Sequence, residues 1–317
     1  MSVLGVEFDR TLVLLNDENR FVRKKALNDI GSYLSTKSGY LNYVYNERSL
    51  LPLTELAQSL SSTLNDNIEV NRELAVKINH MLLDLTPDIC NVASSLIPVL
   101  VKRLGQKEVV EPSEELRLDT LRLVQVMSEK MSDITPFVDE LLTIIQHSLM
   151  DSYHEVKKLS CNIAQELAQK GGERFYRTSE CLINPLLANL IHQHSKVRVA
   201  AIQAIGTVLV HSQSKLVDQT ILPLTQRLFD PACAVRRSVV EIDIHITQAF
   251  FRSFLLGCWM IPLKYVSLRR ASGTTLFEKE NEEQLKDKLD FQTGPPYYYP
   301  LGCLQPTFEY SHITVKL

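Results

Sequence analysis

The residues best suited to chemistry are scattered, and none has the company that chemistry needs. His192 and His194 stand two apart in HQHS, as metal ligands can. No cysteine or further histidine follows nearby, so they read as exposed polar residues of an inter-helix turn. Glu114 with Glu115, and Glu282 with Glu283, are adjacent only along the chain; neighbouring helix residues point in different directions, so neither pair is an acid/base couple. Six cysteines, Cys90, Cys161, Cys181, Cys233, Cys258 and Cys303, include no CxxC pair and read as small core residues of a reducing compartment. No Gly-rich phosphate loop, HExxH, GxSxG or kinase-type set occurs. These absences point to a non-enzyme with no cofactor and no catalytic or metal residues.

What recurs instead is a charge. Basic residues preceding a small or β-branched residue by three positions occur at Arg23, Arg72, Arg117, Lys157, Arg198 and Arg236, at separations of 49, 45, 40, 41 and 38 residues. Six positions before each stand Asp17, Asp66, Glu111, Asp151, His192 and Asp230, five of the six acidic. A cation in the first turn of a helix opposes the positive end of the helix dipole and asks for an anion. An acid in each turn beside a base on each helix supplies one, as a ladder of pairs between stacked repeats. Lys24, Lys25, Lys158 and Arg237 follow the ladder bases within two residues and offer a second use of charge, an exposed surface for acidic partner segments.

The elements that carry these residues are helices. In 192–210 the apolar positions Val197, Ala201, Ile202, Ile205, Val208 and Leu209 step by three and four, giving one buried face. Prolines at 52, 98, 136, 185, 223 and 262 lie in the apolar segments ahead of the turns, as in bent first helices of a pair. Helical pairs at this period are the HEAT or armadillo class. The fold expected is all-α: an α-solenoid of such pairs forming a right-handed superhelix, with an irregular C-terminal tail. Hydrophobic content of 45%, charged content of 22% and 11 glycines fit a folded helical chain, and a net charge of −3 gives no case for nucleic acid.

Six repeats are expected over residues 1–242. The second, with Asn71 where its neighbours carry an apolar residue, reads as the weakest of the early ones, and Asn16 or Asp17 is expected to cap the second helix of the first. The third holds an acidic insertion, GQKEVVEPSEE, read as a solvated rim loop. At Asp243 a carboxylate falls where earlier repeats are mostly apolar or small, so the frame ends. An atypical helical segment is expected over 243–290 and an extended or disordered tail over 291–317, around GPPYYYP. The N-terminus lacks the pattern of a signal peptide, and Ala249–Val266 is broken by Arg252, Pro262 and Lys264, so a cytoplasmic protein with no membrane partner is expected.

The segments LLANLIHQHSKVRVAAIQAIGTVL and LTQRLFDPACAVRRSVVEI, then EKENEEQLKDKLDF leading to PPYYYP, resemble the HEAT-repeat axonemal dynein assembly factors over most of 1–242 and about 278–303. The resemblance implies a cytoplasmic scaffold for pre-assembly of dynein arms of motile cilia. Its partners would be proteins, namely axonemal dynein chains, co-chaperones or other assembly factors, with no small-molecule substrate and no catalytic residues. Between 243 and 275, and after Cys303, the chain departs from the family, as a short isoform or an imperfectly spliced gene model would. Phe250, Phe251, Phe254, Leu255 and Trp259 would then cover the last regular helices or stay exposed. A HEAT adaptor of nuclear transport or a phosphatase scaffold is the alternative.

Overall fold

Each helix here carries an apolar stripe too wide to bury alone, so the helices can only be stable side by side. The structure, a computed structural model, describes residues 10–36 and 51–242. The expectations for 243–290 and 291–317, including the Glu282/Glu283 pair, Cys258 and Cys303, lie outside the described residues. All described residues belong to one of the chain's two compact units, Met1–Leu268.

After a short helical stretch at 10–14 come α1 (Arg20–Thr36), α2 (Leu51–Thr63), α3 (Glu69–Leu85), α4 (Cys90–Leu104) and α5 (Glu114–Lys130). They are followed by α6 (Val138–Ser148), α7 (His154–Lys170), the short α8 (Gly172–Thr178), α9 (Glu180–Asn189), α10 (Ser195–Val210) and α11 (Lys215–Gln226), then a helical stretch at 233–242. Among the described residues there is no strand, and no helix is long and apolar enough to cross a membrane. Helices α1, α3, α5, α7 and α10 stack in one layer, and α2, α4, α6, α9 and α11 in the other. Within a repeat the pair packs across the layers, as α2 on α3 and α9 on α10. Each pair meets only its neighbours, so this is an α-solenoid.

The residue pattern explains the layers. Seven positions after each ladder base, Ile30, Asn79, Val124, Ala164 and Ile205 are all fully buried between layers. Asn79 is tolerated there because its amide nitrogen donates to Ala75 O at 2.8 Å and Leu60 O at 3.4 Å. The prolines sit in first helices: Pro52 near the start of α2, and Pro98, Pro185 and Pro223 inside α4, α9 and α11. Pro136 lies in the 3-10 turn that leads into α6.

Three details differ from the sequence reading. The N-cap of α1 is Asn19, whose Oδ1 accepts from the Phe21 amide at 2.9 Å, while Asp17 Oδ1 accepts from the Asn19 amide one step earlier. In the second repeat Asn71 is buried and its side chain donates to Asp66 Oδ2 at 3.1 Å, so an amide serves where the other repeats pack an apolar residue. Of the four described cysteines only Cys161 is buried; Cys233, beside the ladder turn of the sixth repeat, is exposed.

Gly206 in α10 lets the last described helix approach closely. A Cβ there would stand 2.8 Å from Ile242 Cγ2 and 2.9 Å from Ile242 Cβ, which no rotamer relieves. Gly206→Ala should therefore destabilise the chain by about 1–3 kcal/mol, through overpacking. At Gly31 the nearest atom to such a Cβ is Ile78 Cγ1 at an ordinary 3.6 Å. Gly31→Ala should be neutral or slightly stabilising, and chemical denaturation of both variants checks the contrast.

Candidate functional site

In every described repeat but the fifth, the turn between the two helices is built twice over, once by an acid and once by a base. The acid closes its own turn: Asp66 Oδ1 accepts from the Ile68 amide at 2.8 Å, Asp151 Oδ1 from Tyr153 at 2.7 Å and Asp230 Oδ1 from Ala232 at 2.9 Å. The base then grips the same turn from the helix that follows. Arg23 Nη1 donates to Asp17 O at 2.8 Å, Arg117 Nη1 to Glu111 O at 2.9 Å, Arg198 Nη1 to His192 O at 2.7 Å and Arg236 Nη1 to Asp230 O at 2.8 Å.

The other two nitrogens of the fork reach forward into the next repeat. Arg23 Nε and Nη2 donate to Asp66 Oδ2 and Oδ1 at 2.6 and 3.0 Å, and Arg72 to the two oxygens of Glu111 at 2.6 and 2.8 Å. Arg117 meets Asp151 at 2.7 and 2.9 Å, and Arg198 meets Asp230 at 2.9 and 2.8 Å. Each rung is thus a bidentate pair between consecutive repeats, with both side chains largely out of water. Lys157 and His192 form no such pair: Lys157 Nζ donates to Leu149 O and Asn189 Oδ1, both at 3.1 Å.

The electrostatics follow the geometry. Burial alone would push the Asp66, Glu111 and Asp230 carboxyls up. Guanidinium and backbone N–H donors outweigh it and hold all three below the ordinary carboxylate range. Hydrogen bonds to Asp66, Glu111 and Asp151 raise Arg23, Arg72 and Arg117 in turn. Two rungs hold a second arginine from the same repeat as the acid: Arg103 on Glu111, and Arg227, 3.7 Å from Asp230. The acidic insertion is therefore not a solvated loop throughout, since Glu111 within it is 2% exposed and is the rung acid.

A further set of ties lies at the far end of α3, α5 and α7, the second helices of their pairs, where periodicity of turns gave no hint. Lys130 Nζ, at the end of α5, donates to Leu83 O and Asp84 Oδ1 at the end of α3. Lys170 Nζ, at the end of α7, donates to Ser128 O and Glu129 O at the end of α5. Cations here complement the negative helix ends. Both lysines stand thirteen residues after their ladder base, which is the signal that a search for C-terminal positions would have found.

Of the residues expected to form a partner surface, Lys24, Lys25 and Arg237 are exposed, whereas Lys158 is half-buried and paired with Glu155 at 2.5 Å. The histidines depart from expectation. His192 is half-buried, and a third histidine, His154, packs against His194 with ring centroids 4.5 Å apart. Among the described residues no group of three His, Cys, Asp or Glu is arranged to hold a metal ion. Burial pushes the Cys161 thiol up to about 12 and the Cys181 thiol up to about 11, far from thiolate chemistry.

Comparison with known proteins gives this ladder a family. The family model described as dynein axonemal assembly factor 5-like, TPR repeats, matches residues 14–246. The chain belongs to the dynein axonemal assembly factor 5-like family. Dynein axonemal assembly factor 5 of Xenopus laevis is 35% identical over 94% of this chain and 36% of its own length; the human protein is 34% identical over 80% and 33%. The chain thus spans about a third of the curated relatives it matches. Among solved structures, a designed armadillo repeat protein in complex with the peptide (KR)4 superposes with a TM-score of 0.54 at 15% identity, covering 76% of this chain and 99% of the designed one. A second designed armadillo repeat protein gives 0.52 at 16% identity, over 75% and 98%. These likenesses speak for the fold alone. Tetratricopeptide repeats recur at about 34 residues, a shorter period than this family member shows, and its structural neighbours are armadillo proteins.

Glu111 is the rung where removal should be costliest, because it neutralises Arg72 and Arg103 together. Glu111→Gln should destabilise the chain by about 3–5 kcal/mol, the range for stranding a buried charge. Breaking the exposed Arg177–Glu173 pair should cost about 0.5 kcal/mol or less. Because the rung carboxyls are lowered in the folded chain, their contribution is complete above the ordinary carboxylate range. It is lost as pH falls through their folded values, so the stability gap between the parent chain and Glu111→Gln should be widest near neutral pH and narrow toward acid. Urea denaturation across pH 3 to 7 reads both effects.

Proposed function

We propose that this chain is part of a non-enzymatic scaffold that holds axonemal dynein chains, or the co-chaperones and assembly factors acting on them, during cytoplasmic pre-assembly of dynein arms. The observation that carries this reading is the family match over residues 14–246, whose relatives are named for dynein assembly. The geometry is consistent with it. Repeats locked by rungs at four of five seams, two of them tied at the opposite helix ends as well, form a platform, and two proteins held on one platform meet at a raised effective concentration without any chemistry. Lys24 and Lys25 at one end of the described solenoid and Arg237 at the other are exposed cations suited to acidic partner segments.

Affinity capture from ciliating cells with quantitative mass spectrometry tests the reading. Dynein chains should be enriched, and Lys24→Glu with Lys25→Glu should lower their recovery severalfold while leaving the unfolding midpoint unchanged, since both side chains are exposed. Enrichment of nuclear transport factors or of a phosphatase catalytic subunit in place of dynein chains would overturn it.

A further inference from the structure

Of the five seams between described repeats, four close a base of one repeat on a carboxylate of the next, at Asp66, Glu111, Asp151 and Asp230. At the remaining seam both partners differ together, Lys157 replacing the arginine and His192 the acid. The fold builds an anion receptor at every seam, and at this one it supplies no anion.

The groups at this seam make a concentrated donor set. Lys157 Nζ meets two uncharged oxygens, Leu149 O and Asn189 Oδ1. An ammonium has three donors, so one remains and the charge has no rung counterion. His192 Nδ1 accepts from the His194 amide at 3.1 Å, which leaves Nε2–H as the donor of the neutral ring. The His194 ring lies 5.4 Å from that of His192 and 4.5 Å from that of His154, centroid to centroid. Lys196, exposed in the first turn of α10, adds a second cation. Two carboxylates bear on the group and both are engaged: Glu155 with Lys158 and, at 3.4 Å, His154 Nε2, and Asp151 with Arg117.

We propose that the seam between the fourth and fifth repeats binds a phosphoryl group carried by a partner segment, in the place where the other seams carry their own carboxylate. A dianion with three acceptor oxygens can engage donors from α7 and α10 together, whereas a single carboxylate satisfies fewer of them. Bound there, it ties the two repeats as the missing rung would. This inference needs only the ladder geometry and is independent of which complex the chain serves.

Inorganic phosphate is the probe, added to the full chain against sodium chloride at equal ionic strength. The imidazole Cε1–Hε1 signals, assigned through single His→Gln variants, are followed by NMR. Phosphate should shift His154, His192 and His194 saturably, raise the pH at which they titrate and leave His80 and His211 unmoved. O-phosphoserine should reproduce the shifts and free glutamate should not. His192→Asp, which restores an acid to the rung, should abolish the response, and Lys196→Gln should weaken it severalfold without touching the core. Absence of a phosphate response, its survival in His192→Asp or undiminished in Lys196→Gln, or an equal response to glutamate would each overturn the assignment.

Discussion

Four of the five described seams of this solenoid depend on a guanidinium that has two obligations. One edge of Arg23, Arg72, Arg117 and Arg198 holds the backbone carbonyls of its own turn, and the other edge holds a carboxylate on the next repeat. Because one rigid fork does both, the conformation of the turn and the offset between repeats are a single geometric fact. Apolar burial between the layers supplies most of the driving force, yet an oily stripe tolerates sliding by a fraction of a turn. A bidentate pair does not.

The rungs are for the same reason poor sources of net stability. Taking two charges out of water costs several kcal/mol per ion, and the attraction between them roughly repays it. What a rung adds is discrimination: any other offset leaves a guanidinium and a carboxylate buried and apart. The backbone donors to each carboxylate make the rung selective for an acid in one position of the turn, six residues before the base. The lysines at the far ends of α5 and α7 hold the same seams from the opposite side, in the opposite direction along the chain.

Much of this was legible in the residues because the ladder writes itself into every repeat. The base, the acid six before it and the small residue three after it are required by the same turn, so their spacing survives even the loop insertion that carries Glu111. Asn71 breaks the apolar pattern of repeat two, and what its amide does there, serving Asp66, is visible only in three dimensions. The third histidine was missed because His154 and His194 are one whole repeat apart, a distance at which no linear motif search looks. Lys130 and Lys170 were missed since attention to helix starts says nothing of helix ends. Which residues share a seam is a property of stacking, and periodicity reveals it only for groups already recognised as partners.

A rung that always runs from one repeat to the following one gives the stack a direction, like a row of hooks and eyes. One end of the described row offers Asp17 and the other offers Arg236, and these unlike ends match. Contacts of this head-to-tail kind close on nothing and can be extended indefinitely. Whole arginine-bearing repeats can accordingly be gained or lost by duplication or excision with hook still meeting eye. Gain or loss of part of a repeat instead carries the acid away from the base that seeks it and leaves both buried apart, so such a chain changes its length cleanly only in whole periods.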